Sequence, residues 1–338
     1  MDNLRRFLVV FVLMFFVTAS ICGLLLVGVY DGAKGDKVEP LGVSDATYDP
    51  NSGTTSARVF RENVLVMVAD SGKAMPEFSF VLNIDSSTGN MSYLFVPRNI
   101  KYGINQTGDV GMLGEYFGRY AWNTADRATS LLSSFLDVNI DYYFTISTEN
   151  FAKMISTFSS EDQGIQLDIP VDITYKKDDL EIDFKAGSQY LSGTDAAKFI
   201  QFYQTEDGVY SAEMLPYYDG TDVKRLAQVQ KLVHAFMTQK FTEATTSVYR
   251  DSFDELLFPY FAKGNTNLTS SDLDAISSVV KNLKTSQLNY FMMKGDTVYN
   301  QKEYLEYNNT LRNLLLEDEA LYTVKAEGIL VSHFGTES

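Results

Sequence analysis

Between Asn63 and Asp70 the chain reads NVLVMVAD, apolar at every position inside those two polar ends. A strand with one wet face alternates polar and apolar residues. This one does not, so it requires cover on both faces. That demand points to a sheet sandwiched by helices, and the residues that follow supply both element types. FSFVLNID (Phe78–Asp85) and MSYLFVP (Met91–Pro97) read as strands joined by SSTGN, a glycine-containing hairpin turn. Tyr120–Val138 carries apolar residues at helical spacing. Asp141–Ser147 returns as a strand, and TENFAKMISTF follows as a helix capped by Thr148. Ile165–Tyr175 is strand-like, and Ser192–Gln204 and Asp222–Phe241 are helical. Ser270–Leu283 is a capped helix, Leu288–Met293 a strand and Gln301–Leu316 a last helix. Strands alternating with helices, plus one hairpin, predict an α/β fold with a mixed central β-sheet and helices on both faces.

Ahead of that fold, MDNLRR leads into Phe7–Tyr30, an uncharged apolar run. At 1.5 Å rise per residue it crosses a hydrocarbon core of roughly 30 Å. A cleaved signal has a shorter apolar region and a small-residue exit, and this run has neither. Arg5 and Arg6 before it and Asp31 directly after it orient the amino terminus inside. The expected organisation is therefore a cytoplasmic 1–6, a transmembrane signal anchor 7–30 and a Gly/Ser/Thr/Asp-rich stalk 31–57. A folded extracytoplasmic domain 58–320 and a tail 321–338 complete it.

Charge and composition remove several function classes. The formal net charge is -16, which repels nucleic acid, and no basic cluster interrupts it. The one cysteine, Cys22, lies inside the apolar run and follows Ile21, so neither disulfides nor lipidation are expected. His234 and His333 are too few for a histidine zinc site. Glycine-rich phosphate loops, Gly-x-Ser-x-Gly and His-Glu-x-x-His are all missing from the sequence.

The order of elements and several motifs resemble the LytR-CpsA-Psr family of cell-envelope proteins, over about residues 60–318. VLVMVAD ends in Asp70, where that family ends its first strand in aspartate. Where the family has Arg-Ser-Asp-Thr, this chain has Met75, Pro76, Glu77 and Phe78. The family's Pro-Arg-Asp is Pro97-Arg98-Asn99. Ile140–Ile155 and Lys185–Ile200 match well, but the Arg-x-Arg that follows is Gln201-Phe202-Tyr203. In DVKRLAQVQ, Asp222, Arg225 and Gln230 match, and Gln228 replaces an arginine.

The resemblance implies a signal-anchored protein of the bacterial cytoplasmic membrane with its domain outside. It would bind a polyprenyl-pyrophosphate-linked glycopolymer and transfer it to peptidoglycan. By the same resemblance Mg2+ sits on Asp70 and Glu77, with Asn99 a weaker oxygen donor. Asp70 and Arg98 are then catalytic, and Arg98, Arg225, Asp222, Gln201, Tyr203 and Gln228 line the substrate site. Some aromatics would form a greasy tunnel for the polyprenyl tail. Four motif arginines are replaced, at 75, 201, 203 and 228. Each lost charge-assisted bond forfeits roughly 1.5–3 kcal/mol, which leaves a binding or scaffolding member of the same fold as the alternative. Ordinary roles also fit these residues: Asp70 opening a turn, Arg98 in a surface ion pair, Asp222 and Arg225 as an i,i+3 helix bridge.

Overall fold

A computed structural model describes residues 60–332 apart from 105–109, 137, 160–163, 178–179, 243–247, 294, 301 and 308–328. The expected anchor Phe7–Tyr30 and the stalk lie outside the described residues, as does His333. Among the described residues no helix is long and apolar enough to cross a membrane.

The apolar run forms β1 (Arg61–Val68), followed by β2 (Phe78–Asp85) and β3 (Asn90–Phe95). Gly89 makes the β2–β3 turn at φ +75°, a conformation that disfavours a side chain; a Cβ there would also strike Gln287. β4 (Lys101–Ile104) and β5 (Val110–Met112) lead into α1 (Leu113–Tyr120) and α2 (Ala125–Leu136). β6 (Tyr142–Ile146) and α3 (Thr148–Thr157) follow. Next come β7 (Ile165–Ile169), β8 (Ile173–Lys177), β9 (Leu180–Phe184), β10 (Gly187–Leu191), α4 (Gly193–Gln201) and α5 (Asp222–Phe241). The chain continues through α6 (Phe253–Lys263), β11 (Asn265–Thr266), α7 (Ser270–Lys281), β12 (Leu288–Met293), β13 (Gly295–Asn300), β14 (Lys302–Tyr307) and β15 (Ile329–Ser332).

Seven of these strands form one sheet in the order β11-β6-β1-β2-β3-β12-β15. It is mixed: β1 runs parallel to β6 and antiparallel to β2, and β3 runs parallel to β12. The two faces of β1 enter different cores. Val64 and Val68 pack with α3, α4, α5, α6 and α7, whereas Leu65, Met67 and Ala69 pack with α1 and α2. This is the two-sided cover that the unbroken run requires, and each fully buried Val, Leu or Met adds roughly 1.5–3 kcal/mol.

Three local expectations are corrected. The residue before α3 that accepts the capping bond is Ser147, whose hydroxyl takes the Asn150 amide at 3.2 Å; Thr148 is the first helical residue. The helical spacing read from Tyr120 belongs to α2, while α1 ends at Tyr120. The expected last helix fails at its start: Lys302–Tyr307 is a strand paired with β13, Tyr304 opposite Val298 and Glu303 opposite Tyr299. Tyrosine and valine suit a pleated surface, and a partner strand decided between two periods that so short a segment both permits. Residues 308–316 lie outside the described residues. Within the stretch expected as a tail, Ile329–Ser332 pair with β12.

Candidate functional site

β1 delivers Asp70 two residues beyond its end, next to the start of α3. Burial pushes the Asp70 carboxyl up, but the Thr148 amide and hydroxyl, bonded at 2.8 and 2.9 Å, and the Lys73 ammonium outweigh this. The net shift is below the ordinary carboxylate range. Ala69 is pinned by the only tryptophan, Trp122, whose Nε1 donates to its carbonyl at 2.9 Å.

The loop from Asp70 to Glu77 is the hub. Lys73 Nζ lies 3.2 Å from Asp70 Oδ2 and 2.6 Å from Glu77 Oε1, so one ammonium spans both acids. Glu77 returns its amide to Val68 O at 2.7 Å. Its carbonyl accepts from Arg225 Nη2 at 2.7 Å, and the neighbouring Pro76 carbonyl accepts from Arg98 Nη1 at 3.3 Å.

Asp222, at the first turn of α5, joins the two arginines. Its carboxylate accepts the Arg98 amide at 2.7 Å and Arg225 Nε at 2.9 Å, and lies 3.2 Å from Arg98 Nε. Burial pushes this carboxyl up. Arg225 and Arg98 pull it further down, leaving it below its ordinary value. Arg225 also donates to the Ile200 carbonyl at 2.9 Å, and its side chain is 2% exposed. Arg98 differs: its side chain is 16% exposed, and its guanidinium stacks 4.5 Å from the centroid of Tyr203. Burial, then the charge of Arg225, pushes the Arg98 pKa down.

The structure therefore gathers Asp70, Glu77, Arg98, Tyr203, Asp222 and Arg225 into one connected network. Gln201 is turned back on its own helix, its Nε2 donating to Ala197 O at 2.9 Å. Gln228 sits one turn beyond Arg225 and is buried, with Oε1 unpartnered. Asn99 is buried with both amide atoms unpartnered. Sequence reasoning missed Lys73 as a site residue, because a lysine in a Ser-Gly-Lys turn looks like a solvated charge. It also missed α1, whose Gly114 and Gly118 lie against Arg98 and against the Ala74 carbonyl, where any Cβ would collide. Glycines four apart on an amphipathic segment were the available signal.

Asp70 and Glu77 do not fit a magnesium ion as folded, because the Lys73 ammonium stands between their oxygens. Among the described residues no group of three His, Cys, Asp or Glu side chains is arranged to hold a metal.

On the thicker side of the sheet lies a cavity of about 160 Å³ with an entirely apolar lining that includes Val64, Phe80, Tyr93, Val233 and Phe261. Val68 and Phe78 also line it, one neighbouring Ala69–Asp70 and the other Glu77. Cavity and ion network are therefore joined along the chain by Val68 and Phe78, on either side of the Asp70–Glu77 loop.

A helix-layered mixed sheet with a charge network at a strand end and an apolar cavity on one face defines the class, an α/β protein. The chain belongs to the LytR_cpsA_psr family, whose model matches residues 59–318. The polyisoprenyl-teichoic acid–peptidoglycan teichoic acid transferase TagV of Bacillus subtilis is 28% identical over 131 residues. That match covers 38% of this chain and 32% of TagV, about a third of the relative's length. The crystal structure of B. subtilis TagV superposes with a TM-score of 0.57 at 18% identity, covering 80% of this chain and 100% of that one. Protein gbs0355 from Streptococcus agalactiae gives 0.53 at 15% identity, covering 72% and 81%. At these identities the likeness establishes the fold.

Proposed function

We propose that this chain takes a glycopolymer carried on polyprenyl pyrophosphate and transfers it to peptidoglycan. It would do so outside the bacterial cytoplasmic membrane, held there by Phe7–Tyr30 with the amino terminus inside. The observation that carries this is an all-apolar cavity lined by Val68 and Phe78, the residues that flank the loop bearing Asp70, Lys73 and Glu77, with the Glu77 amide bonded to the Val68 carbonyl. An isoprenoid tail suits the cavity, and a pyrophosphate suits the charge network.

In this arrangement Arg98, the arginine that reaches solvent, contacts the pyrophosphate, and Tyr203 keeps its guanidinium flat. Arg225 holds Glu77 and Asp222 in place from behind. A sugar hydroxyl of peptidoglycan attacks the phosphorus that bears the glycopolymer. The bond from that phosphorus to the bridging oxygen breaks, and polyprenyl monophosphate leaves. The hydroxyl proton passes to Asp70, the more open acid at 27% side-chain exposure against 9% for Glu77. With the Lys73 ammonium seated between Asp70 and Glu77, no step here is assigned to the magnesium that the family resemblance implies.

The test is full-length protein in membranes supplied with polyprenyl-pyrophosphate-linked glycopolymer and peptidoglycan. Wild type is expected to release polyprenyl phosphate and to join polymer to peptidoglycan. Asp70→Ala and Arg98→Ala are each expected to lose on the order of 10²-fold or more of this rate. Binding without release would leave the scaffolding role. Absence of both would reject the proposal.

A further inference from the structure

We propose that Lys73 is the resident cation of this site: its ammonium, seated between Asp70 and Glu77, holds the place of a divalent ion and serves an incoming pyrophosphate without one. The inference rests on the headgroup site proposed above and specifies how that site neutralises charge.

The geometry is unusual for a turn lysine. Nζ reaches Glu77 Oε1 at 2.6 Å and Asp70 Oδ2 at 3.2 Å, so two of the three N–H bonds of an ammonium are directed at two carboxylates. A cation entering between those oxygens would first have to expel a like charge. The acids themselves are fixed. Trp122 holds Ala69, the Val68 carbonyl holds the Glu77 amide, and the two arginines hold the Pro76 and Glu77 carbonyls. Thr148 holds Asp70. Lys73, by contrast, is 45% exposed along its side chain, so its flexible stem swings the charge toward a phosphate oxygen while the loop backbone stays in place.

Formal charge leads to the same conclusion. Within the network Asp70, Glu77 and Asp222 are matched by Lys73, Arg98 and Arg225. The acid pair has its counter-charge already. Removing the ammonium while keeping both acids leaves an uncompensated pair, which is the state that recruits a divalent ion.

The experiment has two arms on the full-length protein. In the first, Mn2+ serves as the metal probe, read by electron paramagnetic resonance. Wild type is expected to bind no Mn2+ at this pair. Lys73→Gln is expected to gain a site, and adding Asp70→Asn to that variant to remove it. In the second arm, farnesyl pyrophosphate is the ligand, titrated in EDTA and then in Mg2+. Wild type is expected to bind equally in both. Lys73→Gln should weaken about tenfold in EDTA, the loss of one charge-assisted hydrogen bond, and recover in Mg2+. Lys73→Arg keeps the charge and should stay independent of metal.

Mn2+ bound by wild type and lost in Asp70→Asn would overturn the proposal, as would wild-type binding that collapses in EDTA. So would a folded Lys73→Gln that gains no Mn2+ site. If Lys73→Gln does not fold, wild type and Lys73→Arg decide through the EDTA comparison. Wild type that binds no farnesyl pyrophosphate in either condition would sink the headgroup site, while the Mn2+ arm still decides the role of Lys73.

Discussion

The two ends of the charge network are built on opposite terms. At one end Asp222 is wholly buried and receives Arg98 and Arg225, with Arg225 itself 2% exposed. At the other end Asp70 and Lys73 keep contact with water. In a dry site every charge must find its partner, because an isolated one is costly; in a wet site a partner can be exchanged at little cost. The difference assigns different work to residues of similar formal type. Arg225 behaves as a frame member, tying α5 to the loop and to α4, whereas Lys73 is a charge free to change partners.

The largest expected effect tests the closed end. Asp222→Ala removes the acid that both arginines share and leaves two guanidinium groups facing each other with little water. Breaking a buried pair in this way costs about 3–5 kcal/mol. Chemical denaturation should show that loss as a lower midpoint with an unchanged slope. A loss below about 1 kcal/mol would mean that the closed end is no frame, and the contrast would fall.

Acid should reveal the same asymmetry with a smaller effect. The Asp222 and Asp70 carboxyls both lie below their ordinary value of 3.8 in the folded chain. A carboxyl depressed on folding contributes its full stabilisation above the unfolded pKa, about 3.9, and loses it as pH falls through the folded value. Thermal stability should therefore be insensitive to these groups from pH 7 to about 5 and fall below about 4. Asp222→Asn should remove more of that acid-dependent fall than Asp70→Asn, since the second carboxyl is partly solvated. The reverse order, measured by melting temperature against pH, would contradict the comparison.

The sequence made the frame more legible than the chemistry, for a physical reason. An unbroken apolar run such as Val64–Ala69 carries its own demand for two covered faces, and the mixed sheet with helices on both sides follows from it. The union of Asp70, Glu77, Arg98 and Arg225 was accessible only through family resemblance, because 148 residues separate Glu77 from the Arg225 guanidinium that holds its carbonyl. Lys73 was hidden in the opposite way. Its partners are three and four residues away, yet nothing local shows that Glu77 is buried and Asp70 bonded to Thr148. Thr148 was read as a helix cap because its type suits one; Ser147 caps instead, and Thr148 turns to Asp70. The strand Lys302–Tyr307 shows a further limit, where tertiary pairing overrides a plausible helical spacing.

The smallest expected effect on stability belongs to the open end and completes the contrast. Lys73→Gln deletes an ion pair with two acids, which on charge alone rivals the loss at Asp222. Water alters the sum: Asp70 can be rehydrated once the ammonium is gone, and the ordering of a long side chain no longer opposes folding. Partly exposed pairs of this kind are worth about 0–1 kcal/mol, so the unfolding free energy of Lys73→Gln should stay within about 1 kcal/mol of wild type by denaturant titration. A cost of about 3 kcal/mol or more would show that Glu77, the drier of the two acids, cannot be left without its ammonium. Lys73 would then be a structural cation like Arg225, pinned in place and unable to turn toward a ligand.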